Sequence, residues 1–387
     1  MNFLRTLSTR RLLLLLAAVV VLGIGAGAIA MAATGGSGPT PPPKPLDQAL
    51  QDALNAPEPA GITARIKFTN RLFPSGALLG GAADPLMAGA SGRLWANKDG
   101  GRLELQSDAG DAQIVWNKTD VTVFDASRNT VYHATLPPEQ PGEQEQAVPS
   151  LDQIDRFLSD LGARVTISPA QPDNVGGQPA YSVTLSPKHD GGLLGSAQLA
   201  WDAAQGVPLR VAIYAQGSSS PVLELEVTDI SYGSVPDSDV QVSPPADAKT
   251  IDLGTLSHDH GTGGESQVSG LDAVRAAVDF PVAAPDTLVG LPRQDVRLVG
   301  SSDSKSVLIT YGQGLGAIIV VEHKADDAQS GGVLSNLPSV ALDGVAGHEL
   351  ATQLGTVVTW QRDGVGYVLG GSLPPAAAEA AARELNK

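Results

Sequence analysis

The 387-residue chain has no cysteine. That excludes disulfides, thiolate metal sites, cysteine nucleophiles and lipid attachment at an N-terminal cysteine. Aromatic residues make up only 4%, so any core must be built from Val, Leu, Ile and Ala. Basic residues are scarce, with 25 Lys and Arg against 41 Asp and Glu and a net charge of −16. Such a surface repels nucleic acid and anionic headgroups, so no nucleic-acid partner is expected. Catalytic signatures are missing too: there is no G-x-S-x-G elbow and no P-loop. Gly312-Gln313-Gly314-Leu315-Gly316 precedes the apolar run Ala317 to Val321, which reads as a strand. Phosphate binding needs a helix N-terminus at that point, so a hairpin turn is expected there instead. His258-Asp259-His260 has metal-ligand residue types but lies in a Gly-rich, polar stretch, and the other histidines are single. No enzyme activity, metal or cofactor is expected.

Glycine and proline are plentiful, 44 and 28 residues, which favours turn-rich β structure. Leu12 to Ala33 carry no charge and are long enough as a helix to cross the hydrocarbon layer. Arg5, Arg10 and Arg11 precede this run, so the N-terminus stays inside and the remainder is exported. Ala30-Met31-Ala32 after a Leu/Val core also fits a cleavable signal peptide. The localisation expected is therefore the cell membrane, single-pass with the bulk outside the cytoplasm, or secretion. Residues 34–45 form a Gly/Pro-rich linker.

Leu46 to Asn55 has helical apolar spacing. Ile62, Ala64, Ile66 and Phe68 alternate with polar residues at the strand period. Arg71 to Ser91 is a long loop carrying Leu72, Phe73, Leu78, Leu79, Leu86 and Met87 among glycines and prolines. An apolar loop of this length must cover something: it is a lid over a ligand pocket or a flap packed on its own core. Short strands follow from Gly101 to Ala134, then a helix from Ser150 to Leu161, then strands again. Three of the later ones form a meander: Ala197 to Trp201, Leu209 to Ile213 and Leu223 to Val227. Glu224 and Glu226 share one face of the third, taken as the solvated one. Helices and many strands in this order predict an α+β fold, a strongly curved antiparallel sheet with helices on one face. Residues 247–268 are expected to be a flexible linker. Residues 269–387 are expected to form a smaller α+β domain, opened by a helix from Leu271 to Phe280 capped by Ser269 and closed by a helix from Ala376 to Asn386.

Within a first domain expected over residues 46–246, the wording of residues 47–245 resembles the LolA-like lipoprotein-carrier superfamily, which includes LolB and RseB. Ser91-Gly92-Arg93-Leu94-Trp95, Trp201-Asp202 before Gly206-Val207-Pro208-Leu209-Arg210, and Val227-Thr228-Asp229-Ile230 before Val242-Ser243-Pro244-Pro245 carry the likeness. Leu271 to Pro285, Val307 to Gly312 and Thr359 to Leu369 resemble a small domain of exported bacterial proteins, often of anti-sigma type. The resemblance implies a half-open β-barrel whose concave face, lidded by helices, accepts an acyl chain of a lipid or lipoprotein. A two-domain plan is also that of RseB, which implies an anti-sigma or other envelope protein as the alternative partner. Ile62, Ile66, Phe68, Leu103, Leu105, Ile114, Trp116, Val121 and Val123 are the candidate lining of the cavity. The same side chains would equally serve a closed core.

Overall fold

A computed structural model describes residues 38–72, 89–108, 110–126, 128–136, 150–163, 165–188, 192–241, 244–255, 268–301, 304–325 and 337–386. The apolar segment 12–33, the His258–His260 cluster and the loop residues Phe73, Leu78, Leu79, Leu86 and Met87 lie outside them. Among the described residues no helix is long and apolar enough to cross a membrane.

The first sheet has thirteen strands. They are β1 (Gly61–Asn70), β2 (Ala90–Asn97), β3 (Gly100–Ser107), β4 (Gly110–Asn117), β5 (Asp120–Asp125), β6 (Thr130–Thr135), β7 (Val165–Ile167), β8 (Gln171–Val175), β9 (Gln178–Pro187), β10 (Leu194–Asp202), β11 (Pro208–Ala215), β12 (Pro221–Tyr232) and β13 (Lys249–Thr255). The spatial order is β13-β6-β5-β4-β3-β2-β1-β12-β11-β10-β9, with β7 and β8 sharing the outer edge of β9. Every pairing is antiparallel except β13 with β6, which is parallel. The path never closes on itself, so the curved sheet is a half-open barrel with its helices on the concave side.

Two corrections concern the expected linkers. The stretch 247–268 is not wholly linker, because Lys249–Thr255 extends the sheet as β13. Pairing there satisfies the free edge of β6, and backbone hydrogen bonding needs no apolar alternation. Nor is the Pro-rich segment free over its described part. Asn174 Nδ2 donates to the Pro39 carbonyl at 2.9 Å, and Tyr181 Oη donates to that of Pro42 at 2.7 Å.

Helix α1 (Leu46–Asn55) follows directly. Its Ala49 and Ala53 are buried against Tyr181, Val183 and Trp201. Helix α2 (Leu151–Gly162) packs against α1 and β7. It turns Ile154 inward and opens with Gln153 Oε1 accepting from the Ser150 N–H at 2.8 Å.

The second domain is a wholly antiparallel eight-stranded sheet with two helices. Its strands are β14 (Thr287–Leu288), β15 (Leu291–Ser301), β16 (Ser304–Tyr311), β17 (Ile318–Lys324), β18 (Ser339–Leu342), β19 (Val345–Ala351), β20 (Thr356–Arg362) and β21 (Val365–Gly371). They are ordered β14-β15-β16-β17-β21-β20-β19-β18. Helices α3 (Leu271–Ala277) and α4 (Pro375–Leu385) pack on one face. Helix α3 is shorter than expected, and Gly270, not Ser269, holds its cap position. Phe280 and Val282 both enter the core from an extended strap beyond the helix. A continued helix would point residues two apart in different directions. Gly314 to Gly316 is a short 3-10 turn between β16 and β17, the hairpin connection expected.

The two domains meet at a seam. The Leu193 N–H donates to the Ser372 carbonyl at 3.2 Å, and Gln353 Nε2 donates to the Arg71 carbonyl at 2.9 Å. Leu354 packs among Leu194, Ile213, Ala215 and Val222.

Candidate functional site

Strand register determines which side chains share a face, because alternate residues point the same way. Across β1 to β6, one row reads Ile62, Ala96, Gly101, Trp116, Val121 and Ala134. The next reads Ala64, Leu94, Leu103, Ile114, Val123 and Tyr132, and a third reads Ile66, Gly92, Leu105, Ala112, Asp125 and Thr130. Phe68 continues this face from β1 into Leu225, Val211, Leu199 and Val183 of β12, β11, β10 and β9. The nine sequence-derived candidates therefore fall on one face of the sheet. The Leu199 and Val183 end of that face is the part on which α1 sits.

The intervening rows carry the charge. Thr63, Trp95, Arg102, Val115, Thr122 and His133 form one, and Arg65, Arg93, Glu104, Gln113, Phe124 and Val131 another. Arg102 pairs with Glu104 and lies over the Trp95 ring, 5.4 Å from its centroid. By contrast, the only ionisable carboxylate in the three apolar rows is Asp125, which is paired with Arg128 at 2.7 Å.

Burial along the apolar face is uneven. Ile62, Ile66 and Leu105 are buried, whereas Phe68, Leu103, Ile114, Trp116, Val121 and Val123 are half-buried. Leu225, midway along the sheet, is 41% exposed, and its row neighbours Phe68, Val211 and Leu199 are half-buried. Among the described residues, three other large apolar side chains are exposed: Phe157 on α2, and Val289 and Ile319 in the second domain. An apolar stripe bare at its centre, its one carboxylate paired at the edge, can hold a hydrocarbon chain by area alone.

Leu72, the one described residue of the six apolar lid candidates, packs against the Leu194, Ile213 and Val222 cluster. Sequence reasoning missed Leu225, Val211 and Leu199 as surface-lining groups, since their alternation was read as scaffold. Their signal was the same period-two pattern that marked β1.

The other face of β10 to β12 corrects one expectation. Glu224 is not solvated: its Oε1 accepts from Arg210 Nε at 2.8 Å, and its side chain is 11% exposed. Arg210 also donates to Gln198 Oε1 and Tyr214 Oη, at 3.1 and 2.9 Å. Burial, with the Glu224 charge next in size, holds the Glu226 carboxyl above the ordinary carboxylate range. Asn117, in the pattern Asn-Lys-Thr, accepts from the N–H groups of Thr119 and Asp120 at 2.8 Å each, so it shapes a tight turn.

These features define a half-open barrel with an apolar concave face, joined to a second α+β domain. No family model matches the chain, and no curated protein matches it. Among solved structures it is similar to MucB in complex with MucA(peri), at 13% identity, covering 87% of this chain and 95% of that chain with a TM-score of 0.43. It is likewise similar to the Pseudomonas aeruginosa MucA/MucB complex, at 14% identity, covering 87% and 96% with a TM-score of 0.44. A LolA superfamily protein from Nitrosomonas europaea matches at 10% identity, covering 51% of this chain and 98% of that one with a TM-score of 0.23. None of the three assigns a role to any residue of this chain.

Proposed function

We propose that the protein acts outside the cytoplasm, tethered by residues 12–33 or secreted, and holds the acyl chain of a lipid or lipoprotein on its concave face. The observation that carries this reading is Leu225, exposed in the middle of an otherwise apolar, uncharged row. A core closed on itself would bury it. Each methylene laid on such a surface contributes about 0.8 kcal/mol, so a long chain is held without specific polar contacts. The lining is Ile62, Ile66, Phe68, Leu103, Leu105, Ile114, Trp116, Val121 and Val123, extended by Leu225 and Val211.

Leu225→Asp tests it. A charge there has to be desolvated when the chain binds, so affinity for a fluorescent fatty acid falls at least tenfold. The thermal midpoint barely moves, because Leu225 is already exposed. Equal binding by wild type and Leu225→Asp, or no binding by either, contradicts the reading.

A second reading is favoured by the outer face of the second sheet. Leu308, Val321, Val368 and Thr359 form one row there, and Ile319, 45% exposed, stands in the next. The packed helices lie on the other face. This surface suits an envelope partner protein such as an anti-sigma factor, and the chain is then a regulator. Ile319→Asp abolishes partner capture while leaving fatty-acid binding intact if that is so. Capture unaffected by the substitution rules this surface out.

A further inference from the structure

One stretch of the second domain is held in place by side chains. Residues 278–286 follow α3 in extended form, with Phe280, Val282 and Ala284 buried in the core and Asp279, Pro281 and Pro285 exposed. This is the alternation of a strand without a strand's pairing. Pro281 and Pro285 have no N–H to give to a ladder. Among the described residues, no backbone–backbone hydrogen bond is made from Asp279 to Pro285.

Its bonded polar groups go to side chains instead. Arg275 Nη2 on α3 donates to the Val282 carbonyl at 3.3 Å, and the Ala283 N–H donates to Glu322 Oε2 on β17 at 3.0 Å. Arg293 on β15 donates to the Ala284 carbonyl, and to Asp286 Oδ1 at 2.9 Å. At the exposed margin Lys305 Nζ donates to the Ala277 carbonyl at 2.8 Å, and Lys324 pairs with Asp279 at 2.5 Å.

Glu322 differs from the other holders. It is wholly buried, its Oε1 has no partner among the described residues, and its one hydrogen bond is to the strap. Its neighbours across the sheet, Val307 on β16 and Tyr367 on β21, carry no charge to balance it. Tyr311 and Tyr367 feel its charge, but burial holds both phenols above their ordinary range and neutral. Arg275 on α3 and the Ala283 N–H favour the ionised carboxyl, yet burial outweighs them and pushes it up from 4.5 to about 8.

We propose that residues 278–286 and Glu322 form a proton-operated latch: the strap lies closed while Glu322 keeps its proton, and lifts off the second domain's core when that proton is lost. The strap is the part that moves because its release breaks side-chain bonds alone. Withdrawing Glu322 on its own strand would instead break the pairing of β17 with both β16 and β21. The closed state binds the proton more tightly, which fixes the sign. Below about 4.5 opening is independent of pH; from there to about 8 it becomes about tenfold more favourable per pH unit, and above that it levels off.

The test is hydrogen exchange on the full chain from pH 5 to pH 9, with intrinsic exchange rates divided out. It is read at the Ala283 amide in the strap and at the Ile309 and Val320 amides in the sheet. In wild type, protection at Ala283 falls about tenfold per pH unit up to about pH 8 and stays below that of Ile309 and Val320 throughout, because the strap opens without the sheet. In Glu322→Gln, which keeps an acceptor for the Ala283 N–H, protection at Ala283 is independent of pH. Protection at Ala283 that equals that of the sheet amides overturns the latch, since the strap then opens only when the whole domain unfolds. Protection at Ala283 that does not fall with pH in wild type also overturns it, whatever the variant does. So does a fall that persists undiminished in Glu322→Gln, which would assign the proton to another group.

Discussion

Glu322 on β17 is wholly buried, and its one hydrogen bond is from the Ala283 N–H to Oε2 at 3.0 Å; Oε1 has no partner. Burial pushes its carboxyl up to about 8, against the smaller pull of the Ala283 N–H and the Arg275 charge. The sign follows from linkage. Below its ordinary value of 4.5 the group is protonated in both folded and unfolded chains. From there to about 8 the unfolded chain releases the proton and the folded chain keeps it, so stability falls as pH rises through that window. Glu322→Gln keeps the acceptor for Ala283 without the titration. Thermal melts from pH 5 to pH 8 are expected to show a falling midpoint in wild type and a flatter one in Glu322→Gln, with the variant more stable at pH 8. A wild-type midpoint independent of pH would contradict this. Gly101 shows a different constraint: a Cβ there would sit 2.2 Å from the Trp116 ring. Valine, a good strand former, is expected to destabilise at this position by about 1–3 kcal/mol, measurable by urea unfolding with Trp116 emission displaced.

At the level of elements, period-two alternation was the most legible signal. It marks β1, the meander of β10 to β12 and most of the second sheet, and it places Ile62, Ile66 and Phe68 on one side. The sequence of β19, Val345 to Ala351, puts Gly, His and Glu in a row, so its pairing with β18 and β20 leaves no apolar pattern to read. Strand β13 is hidden for the same reason, being recruited by a neighbour's free edge. Glu224 looked like one of two solvated carboxylates because its partner, Arg210, lies on the adjacent strand, and only register joins them. Leu354 gives no local sign at all: a single leucine in a Thr-Gln-Leu-Gly turn is buried by residues some 130 to 160 positions earlier in the chain. The seam it belongs to can be probed at Gly192, where φ is +91° and the Ser372 carbonyl leaves no room. Gly192→Ala is expected to open the seam, seen as faster hydrogen exchange at the Leu193 amide. Exchange unchanged from wild type would show that the backbones can part without loss.

For the whole molecule, the separation of faces governs the proposed function. Charged side chains such as Arg65, Arg93, Arg102 and Glu104 lie on one side of the curved sheet, and a mainly apolar surface lies on the other, with α1 seated on its Leu199 and Val183 end. Four tryptophans report on this arrangement separately. Trp116 is half-buried on the concave face, Trp95 lies on the opposite face, Trp201 is buried beneath α1, and Trp360 is stacked on Tyr367 in the second domain, 4.9 Å between centroids. The most direct measurement is quenching of tryptophan emission by a brominated fatty acid in wild type, Trp116→Phe and Trp95→Phe. The expected result is saturable quenching in wild type and Trp95→Phe that is largely lost in Trp116→Phe. No quenching in wild type, or quenching that survives in Trp116→Phe and disappears in Trp95→Phe, would contradict an acyl chain on the concave face.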